Sequence, residues 1–167
     1  MYLRELEEQD AEPMLAWMHN PQVVRDLNAD FASRTLEDCR AFIRQSRENS
    51  RDLHLAIANE NNEYMGTVSL KHIRHDTGSA EFAIVVRPEG MGKGFSRFAM
   101  NAMLEKAWEM GLETVYWCVS PKNDRAVRFY NRNGFSRREA PPPEADPDLS
   151  ARKDLIWYEQ RREKHEQ

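Results

Sequence analysis

Cysteine is scarce in this chain of 167 residues: Cys39 and Cys118 are the only two. They lie in different apolar contexts and build neither a disulfide framework nor a zinc site. Long apolar runs are missing as well. The best, Phe82 to Val86, falls far short of the ~20 residues a membrane span requires. Basic charge is not in excess, with 24 Lys+Arg against 28 Asp+Glu and a net charge of -4. A protein that grips polynucleotide phosphates usually carries the opposite balance, which argues against a nucleic-acid partner. Glycine is sparse, 7 against 8 prolines, and no repeat or linker divides the first 140 residues. The opening Met1-Tyr2-Leu3-Arg4-Glu5-Leu6-Glu7-Glu8 is too acidic for a secretory signal. The expectation is one domain over residues 1–167 in the reducing cytoplasm, with no membrane partner.

What is present is a chain 40% hydrophobic and 31% charged, enough for a sizeable core under a solvated surface. Tyr2 to Leu6 alternates as a half-buried strand does. Asp10 is the expected N-cap of a helix with Pro13 in its first turn and an apolar face of Ala11, Met14, Leu15 and Met18. Asn20-Pro21 closes that helix, and Pro21 to Leu27 suggests another short helical turn. Thr35-Leu36-Glu37-Asp38 has the spacing of a capping box and opens a helix with a stripe of Leu36, Cys39, Phe42 and Ile43. Strands follow at Leu53–Ala58 and Tyr64–Ile73, separated by Asn59-Glu60-Asn61-Asn62. After the turn Asp76-Thr77-Gly78-Ser79, the nearly unbroken apolar run Ala80 to Val86 reads as a central strand covered on both faces.

A helix bearing Met100, Met103, Leu104 and Ala107 ends at Gly111, and Thr114–Val119 is another strand. Asn123 to Asn133 is a helix with Gly134 placed for a left-handed cap. Phe135 to Arg138 begins a strand, and Leu155 to Tyr158 supplies the last one. Between them lies Ala140 to Asp154, where three consecutive prolines oppose regular pairing. The pattern predicts an α/β chain with a mixed sheet and helices on both faces.

The most informative segment runs from Val85 through Pro88-Glu89-Gly90-Met91-Gly92-Lys93-Gly94 into Phe95-Ser96. It takes a buried strand into a helix through a bend with three glycines. Such a bend is either a plain tight turn or an anion cradle, in which converging amides at the positive end of a helix hold a phosphate. Lys93 adds a mobile positive charge. The P-loop pattern fails because Gly94 follows Lys93, and the dinucleotide pattern fails because Arg97 stands where glycine is needed.

Met91-Gly92-Lys93-Gly94-Phe95-Ser96 resembles the coenzyme-A-binding bend of the Gcn5-related N-acetyltransferases, Gln/Arg-x-x-Gly-x-Gly/Ala, with Met91 and Ser96 departing from it. Downstream, the stretch from Asn123 through Ala126 and Tyr130 to Gly134-Phe135 resembles the family's Asn-x-x-Ala-x-x-x-Tyr-x-x-x-Gly-Phe helix, in family order and spacing. The resemblance implies a mostly antiparallel sheet of about seven strands in which Ala80–Val86 splays from Thr114–Val119. Acetyl-coenzyme A would fill the gap as cosubstrate, with no metal. Its pantetheine would pair with Val85, Val86 and Arg87, and its pyrophosphate would rest on the amides of Met91, Gly92, Lys93, Gly94, Phe95 and Ser96.

The implied reaction is acetyl transfer to a primary amine of a small molecule or a protein N-terminus; the alternative is a non-catalytic acyl-coenzyme-A sensor. Ala80-Glu81-Phe82 and the opening helices look most like the branch acting on protein N-termini, spermidine or amino sugars. That branch would place the acceptor between the first two helices and the Ala140–Asp154 segment, in a monomer or homodimer. Amine attack on a thioester needs a deprotonated amine, a stabilised oxyanion and a proton for the leaving thiolate. Tyr130 is the candidate acid by resemblance and otherwise a core tyrosine. Asn123 is an N-cap or, by resemblance, a pantetheine contact. Glu81 is the one ionisable residue in its strand: a base, an anchor for a cationic acceptor, or a strand-end carboxylate in solvent. His54 is expected to be a satisfied core or edge histidine, and His72 and His75, three apart, form no metal set.

Overall fold

The computed structural model describes residues 1–163. Seven strands form one sheet: β1 (Tyr2–Glu5), β2 (Leu53–Ala58), β3 (Tyr64–Arg74), β4 (Ser79–Val86), β5 (Thr114–Val119), β6 (Ser136–Arg138) and β7 (Ile156–Arg161). Their order is β1-β2-β3-β4-β5-β7-β6. All neighbours run antiparallel except β4 and β5, which are parallel. The helices are α1 (Ala11–Met18), α2 (Pro21–Val24), α3 (Leu36–Ser46), α4 (Phe95–Glu109), α5 (Asp124–Arg132) and α6 (Pro147–Ser150).

Strand alternation sends side chains to the two faces of the sheet, where they form two large cores and a smaller cluster of Tyr116, Ala145, Leu155 and Trp157. On one face Leu55, Val68, Leu70, Ala80, Phe82, Val115 and Trp117 pack against Met100, Met103 and Ala107 of α4 and Tyr130 of α5. On the other, Ala56 and Tyr64 pack against Met14 and Trp17 of α1 and Cys39 and Ile43 of α3. The expected capping box starts α3, with the Asp38 amide donating to Thr35 Oγ1 (3.2 Å) and the Thr35 amide to Asp38 Oδ2 (2.9 Å). Gly134 takes the left-handed conformation its position after α5 called for, φ 74°.

One expectation is corrected. Asp10 does not cap α1: it sits in helical conformation at the end of a 3-10 turn and makes no side-chain cap bond there. Its buried carboxylate instead accepts from Arg4 Nη1 (2.7 Å), Arg4 Nη2 (2.9 Å) and the Glu7 amide (2.8 Å). A paired guanidinium holds that oxygen pair more firmly than a single amide could. The Ala140–Asp154 segment forms no strand among the described residues, as expected of its consecutive prolines, and carries the short α6, with Asp146 Oδ1 accepting from the Asp148 amide (2.8 Å).

The site depends on how β4 ends. β4 and β5 pair only over Ser79–Glu81 and Thr114–Tyr116. Beyond that, β4 continues along β3 to Val86, while β5 continues along β7 to Val119. The sheet opens between them. Ser79 to Phe82 are buried, and Ala83 to Val86 become half-buried once β5 has left. The expectation that this strand is covered on both faces holds only for its first half.

Candidate functional site

The opening is bordered on one side by the outer half of β4. The Arg87 amide donates to the Met65 carbonyl (2.8 Å), and the register places Val86 opposite Gly66 and Val85 opposite Thr67. In an antiparallel ladder alternate residues turn both backbone groups to the same neighbour. Val85 and Arg87 therefore serve β3, and Ile84 and Val86 turn theirs toward the gap. Gly66 shows how close β3 runs here, because a Cβ on it would meet the Val85 carbonyl oxygen at 2.2 Å. The Arg87 side chain is also engaged, with Nη1 donating to the Tyr64 carbonyl (3.2 Å) and Nε 2.9 Å from Glu89 Oε2. Of the expected edge residues only Val86 offers free backbone groups; Ile84 is its partner, and alternation counted from the Arg87 bond would have found it.

Past the turn Pro88–Gly90, the chain reaches α4 through Gly92 (φ 78°) and Gly94 (φ 87°). Both φ values lie in the left-handed region open to glycine, and a Cβ at either would meet nothing within 4 Å. The Met91 amide is spent on the Pro88 carbonyl (3.1 Å). Among the described residues, the amides of Gly92, Lys93, Gly94, Phe95, Ser96 and Arg97 donate to no protein acceptor, and α4 has no side-chain cap. The run of unpartnered amides thus begins at Gly92, one residue later than the motif suggests. Phe95 is buried in the α4 core and anchors the helix start, Ser96 is half-buried, and Lys93 is exposed and in no ion pair among the described residues. A residue the sequence did not single out closes the far side: Arg125 of α5 reaches across to the Met91 sulfur, Nη1 to Sδ 3.0 Å.

On α5, Asn123 is the N-cap, its Oδ1 accepting from the Ala126 amide (3.3 Å). Tyr130 is only 7% exposed, its ring 5.4 Å from Trp117, 5.1 Å from Tyr158 and 5.5 Å from Phe129, centroid to centroid. It is a core residue in its ring. Its hydroxyl differs: it has no hydrogen-bond partner among the described residues yet is not sealed from solvent. Burial first, then the neighbouring Tyr158 and Cys118, pushes the phenol well above its ordinary value, so it stays protonated.

Glu81 is not in solvent. It is 3% exposed, at the last β4 position that still pairs with β5, opposite Tyr116. Lys71 Nζ lies 3.3 Å from its Oε2, off the direction of a hydrogen bond, and that oxygen has no hydrogen-bond partner among the described residues. Cys118, next along the same face of β5, has its thiol pushed up to about 12, mainly by burial and further by the charge of Glu81. A thiol so held is protonated and no nucleophile. Over Cys118 two chain segments meet: Asn28 Nδ2 is 3.9 Å from its Sγ, and Arg152 Nη1 donates to Asn28 Oδ1 (2.9 Å).

His54 lies on the same sheet face, buried, its Nδ1 2.6 Å from Ser69 Oγ and its Nε2 3.6 Å from Asp52. Burial lowers its pKa against the opposing pull of Asp52. His72 departs from regular strand conformation (φ 53°). Among the described residues no group of three or more His, Cys, Asp or Glu side chains is placed to hold a metal ion, and no helix is long and apolar enough to cross a membrane.

Comparison with known proteins bears on all of this. A spermidine N(1)-acetyltransferase from Vibrio cholerae is 38% identical over 72 residues, covering 42% of this chain and 42% of that protein. One from Escherichia coli K12 is 33% identical over 75 residues, covering 44% and 40%. The match thus spans about two-fifths of these curated relatives. Among solved structures, a spermidine N-acetyltransferase from Vibrio cholerae in complex with CoA and spermine superposes with a TM-score of 0.76 at 21% identity, over 95% of this chain and 92% of that one. At that identity the likeness establishes the fold, a seven-stranded, mostly antiparallel sheet opened at its centre. A family profile described as the acetyltransferase (GNAT) domain matches residues 1–136, the stretch that holds the opened strands, the glycine turn and the helix carrying Tyr130, and the chain belongs to that family.

Proposed function

We propose that this protein transfers an acetyl group from acetyl-coenzyme A to a primary amine of a small molecule, with polyamines of the spermidine class first among the acceptors. The observation that carries this is the run of six unpartnered amides, Gly92 to Arg97, at the start of α4 beside the free edge of β4. Strand edge and helix start follow one another along the chain, so the ligand they fit has amide-like groups first and a doubly charged anion after them. Pantetheine joined to a pyrophosphate has that order. Space above Gly92 and Gly94 leaves room for the anion.

Acetyl-coenzyme A supplies the acetyl group as an activated thioester. The remaining work falls to the chain. Gly92 to Arg97 hold the pyrophosphate, with Lys93 and Arg125 adding positive charge at its rim. Ile84 and Val86 orient the pantetheine, and Asn123 Nδ2, free of the capping bond made by Oδ1, lies on the opposite side of the opening. Tyr130 donates its O–H to the departing sulfur. A phenol raised above its ordinary value gives up a proton reluctantly, and a thiol of reference pKa ~8.5 needs only a hydrogen bond to leave as thiolate. Glu81 draws the acceptor ammonium to the apex of the opening, where loss of its proton to water frees the amine to attack the thioester carbon. The C–S bond then breaks, the sulfur leaves as thiolate on the Tyr130 O–H, and the second N–H proton passes to solvent. The protonated Cys118 supports direct transfer over an acyl-cysteine route. Free thiols at both cysteines support a cytoplasmic setting.

The test is thiol release from acetyl-coenzyme A with a panel of amines: spermidine, putrescine, an amino sugar and an N-terminal alanyl peptide. Amine-dependent release is expected, strongest with the polyamines. Coenzyme binding without release on any amine overturns the reading in favour of an acyl-coenzyme-A sensor.

A further inference from the structure

Glu81 is buried and ionisable, yet among the described residues its Oε2 has no hydrogen bond, and the one cation paired with it stands off the bonding direction at 3.3 Å. A carboxylate that served only to tie β3 to β4 would be satisfied, since an under-bonded buried charge is costly. Lys71 itself is not locked in. Its side chain is 35% exposed against 4% for Glu81, so it comes to the carboxylate from the solvent side and leaves without disturbing the core. Other charged and titratable groups do not take its place. Tyr116 and Cys118 face Glu81 from β5, and both are held neutral by burial. Asp52 and His54 lie beyond Lys71 on β2 and its approach, and Arg74, Glu144, Asp146 and Arg152 beyond Tyr116 and Cys118.

Lys71 reaches Glu81 because of a local irregularity. Lys71 pairs with Glu81 and Arg74 with Ser79, so His72 and Ile73 together oppose Ala80 in a β-bulge. The bulge is held by Asp52, whose Oδ1 accepts from the His72 amide (2.9 Å), with His72 in the left-handed region at φ 53°. Without the extra residue the register would slip by one and Lys71 would turn to the α4 face. The chain accepts a strained non-glycine position whose effect is to bring an ammonium to this carboxylate.

We propose that Lys71 occupies, in the resting protein, the position on Glu81 that the acceptor's ammonium takes in the complex, and so sets how strongly cationic acceptors are held. It is a specificity-determining residue and a tethered competitor, present at high effective concentration. The inference rests on the acetyl-transfer reading above. A weakly charged acceptor must displace Lys71 with one ammonium and binds loosely. A polyamine, with further cationic groups to engage elsewhere on this face, is penalised less.

Steady-state kinetics with spermidine and with a monoamine test it on the full chain. Lys71→Gln is expected to lower the KM for the monoamine roughly 5- to 10-fold and that for spermidine less, with the acetyl-coenzyme A KM unmoved and kcat changing less than the amine KM. Lys71→Arg, which keeps the cation, is expected to restore the wild-type amine KM. In a Glu81→Gln background Lys71→Gln is expected to do nothing. If Lys71→Gln lowers the melting temperature severely, Lys71→Met, which keeps the apolar stem, replaces it. An amine KM that stays the same or rises in the charge-removing variants, or a fall that persists in the Glu81→Gln background, overturns the proposal. Absence of thiol release by the wild type with every amine removes the acetyl-transfer reading itself and this one with it. Release by the wild type combined with an inert Lys71→Gln removes only this one.

Discussion

Removing one oxygen from Tyr130 separates a chemical role from a structural one. The ring of Tyr130 packs against Trp117, Phe129, Phe135 and Tyr158, and phenylalanine keeps every one of those contacts. The hydroxyl bonds to no protein group among the described residues. Tyr130→Phe therefore breaks no hydrogen bond in the resting protein, and its effect on stability is expected to be under about 1 kcal/mol. For a domain of this size that is a shift of less than about 4 °C in melting temperature. In the reaction the same oxygen is assigned the departing sulfur. A hydrogen bond to a charged group contributes about 1.5–3 kcal/mol, so its loss slows turnover about 10- to 100-fold. Coenzyme affinity rests on backbone groups and is expected to stay within about 2-fold, because the lost bond forms only as the sulfur gains charge. Thiol-release kinetics, coenzyme titration and a thermal melt on one preparation give all three values. Turnover within 2-fold of the wild type removes Tyr130 from the chemistry, and a melting temperature more than about 5 °C lower shows that the hydroxyl has a structural partner after all.

Gly94→Val places a branched side chain over the unpartnered amides at φ 87°, and the coenzyme A dissociation constant is expected to rise at least ~10-fold. Gly111→Val carries similar backbone strain at φ 84° away from the site and serves as control; equal affinity in both variants contradicts the cradle. Asp10→Ala strips Arg4 and the Glu7 amide of their buried acceptor and is expected to cost about 3 kcal/mol, or about 6–12 °C, in a thermal melt; a loss under ~2 °C makes that pair dispensable. Burial lowers the His54 pKa below the ordinary 6.5, so the unfolded chain takes up the proton first as pH falls. Its contribution to stability is therefore complete above 6.5 and is lost on acidification from there toward the lower folded value. Melting temperature is expected to fall less steeply below that pH in His54→Gln than in the wild type; parallel curves refute the assignment.

Local chemistry was legible in the sequence wherever a rule acts within a few residues. The Thr35–Asp38 capping box, the cap at Gly134 and the glycine turn before α4 each depend on backbone geometry that one short segment dictates. The opening of the sheet and the placement of Tyr130 came from motif resemblance, and strand periodicity alone read β4 as covered throughout. What stayed hidden depends on register. Lys71 and Glu81 sit on either side of the turn Asp76–Ser79, and simple hairpin alternation does not place them on one face. The bulge at His72 does, and its anchor, Asp52, is twenty residues back along the chain. The motif points to Val85, Val86 and Arg87 for the edge, whereas Val85 and Arg87 bond to β3 and Ile84 and Val86 face the gap, because which backbone groups do so depends on the pairing with β3. Asp10 looked like a cap because its partner, Arg4, belongs to another element.

The opening is what two well-paired half-sheets produce when they share a short seam. β4 is paired with β3 from Ser79 through Val86, and β5 with β7 along all of Thr114–Val119, while the seam between β4 and β5 closes only at its first three positions. Each half-sheet twists with its own partners, so past the seam the strands part and expose backbone donors and acceptors in the middle of a sheet rather than at its rim. Such groups need a partner, and water meets that need only while the cleft stays wet. An extended ligand with amide groups satisfies them from both sides and is held in a single direction by the charge requirement at α4. On the acetyl-transfer reading, the unpartnered amides before α4 take the charged end beyond the outer end of β4, and the ligand's uncharged end runs inward along Val86 and Ile84 toward the seam. There the sheet's one parallel pairing ends at Glu81 and Tyr116, so on the acetyl-transfer reading the reactive end of the ligand meets the buried carboxylate.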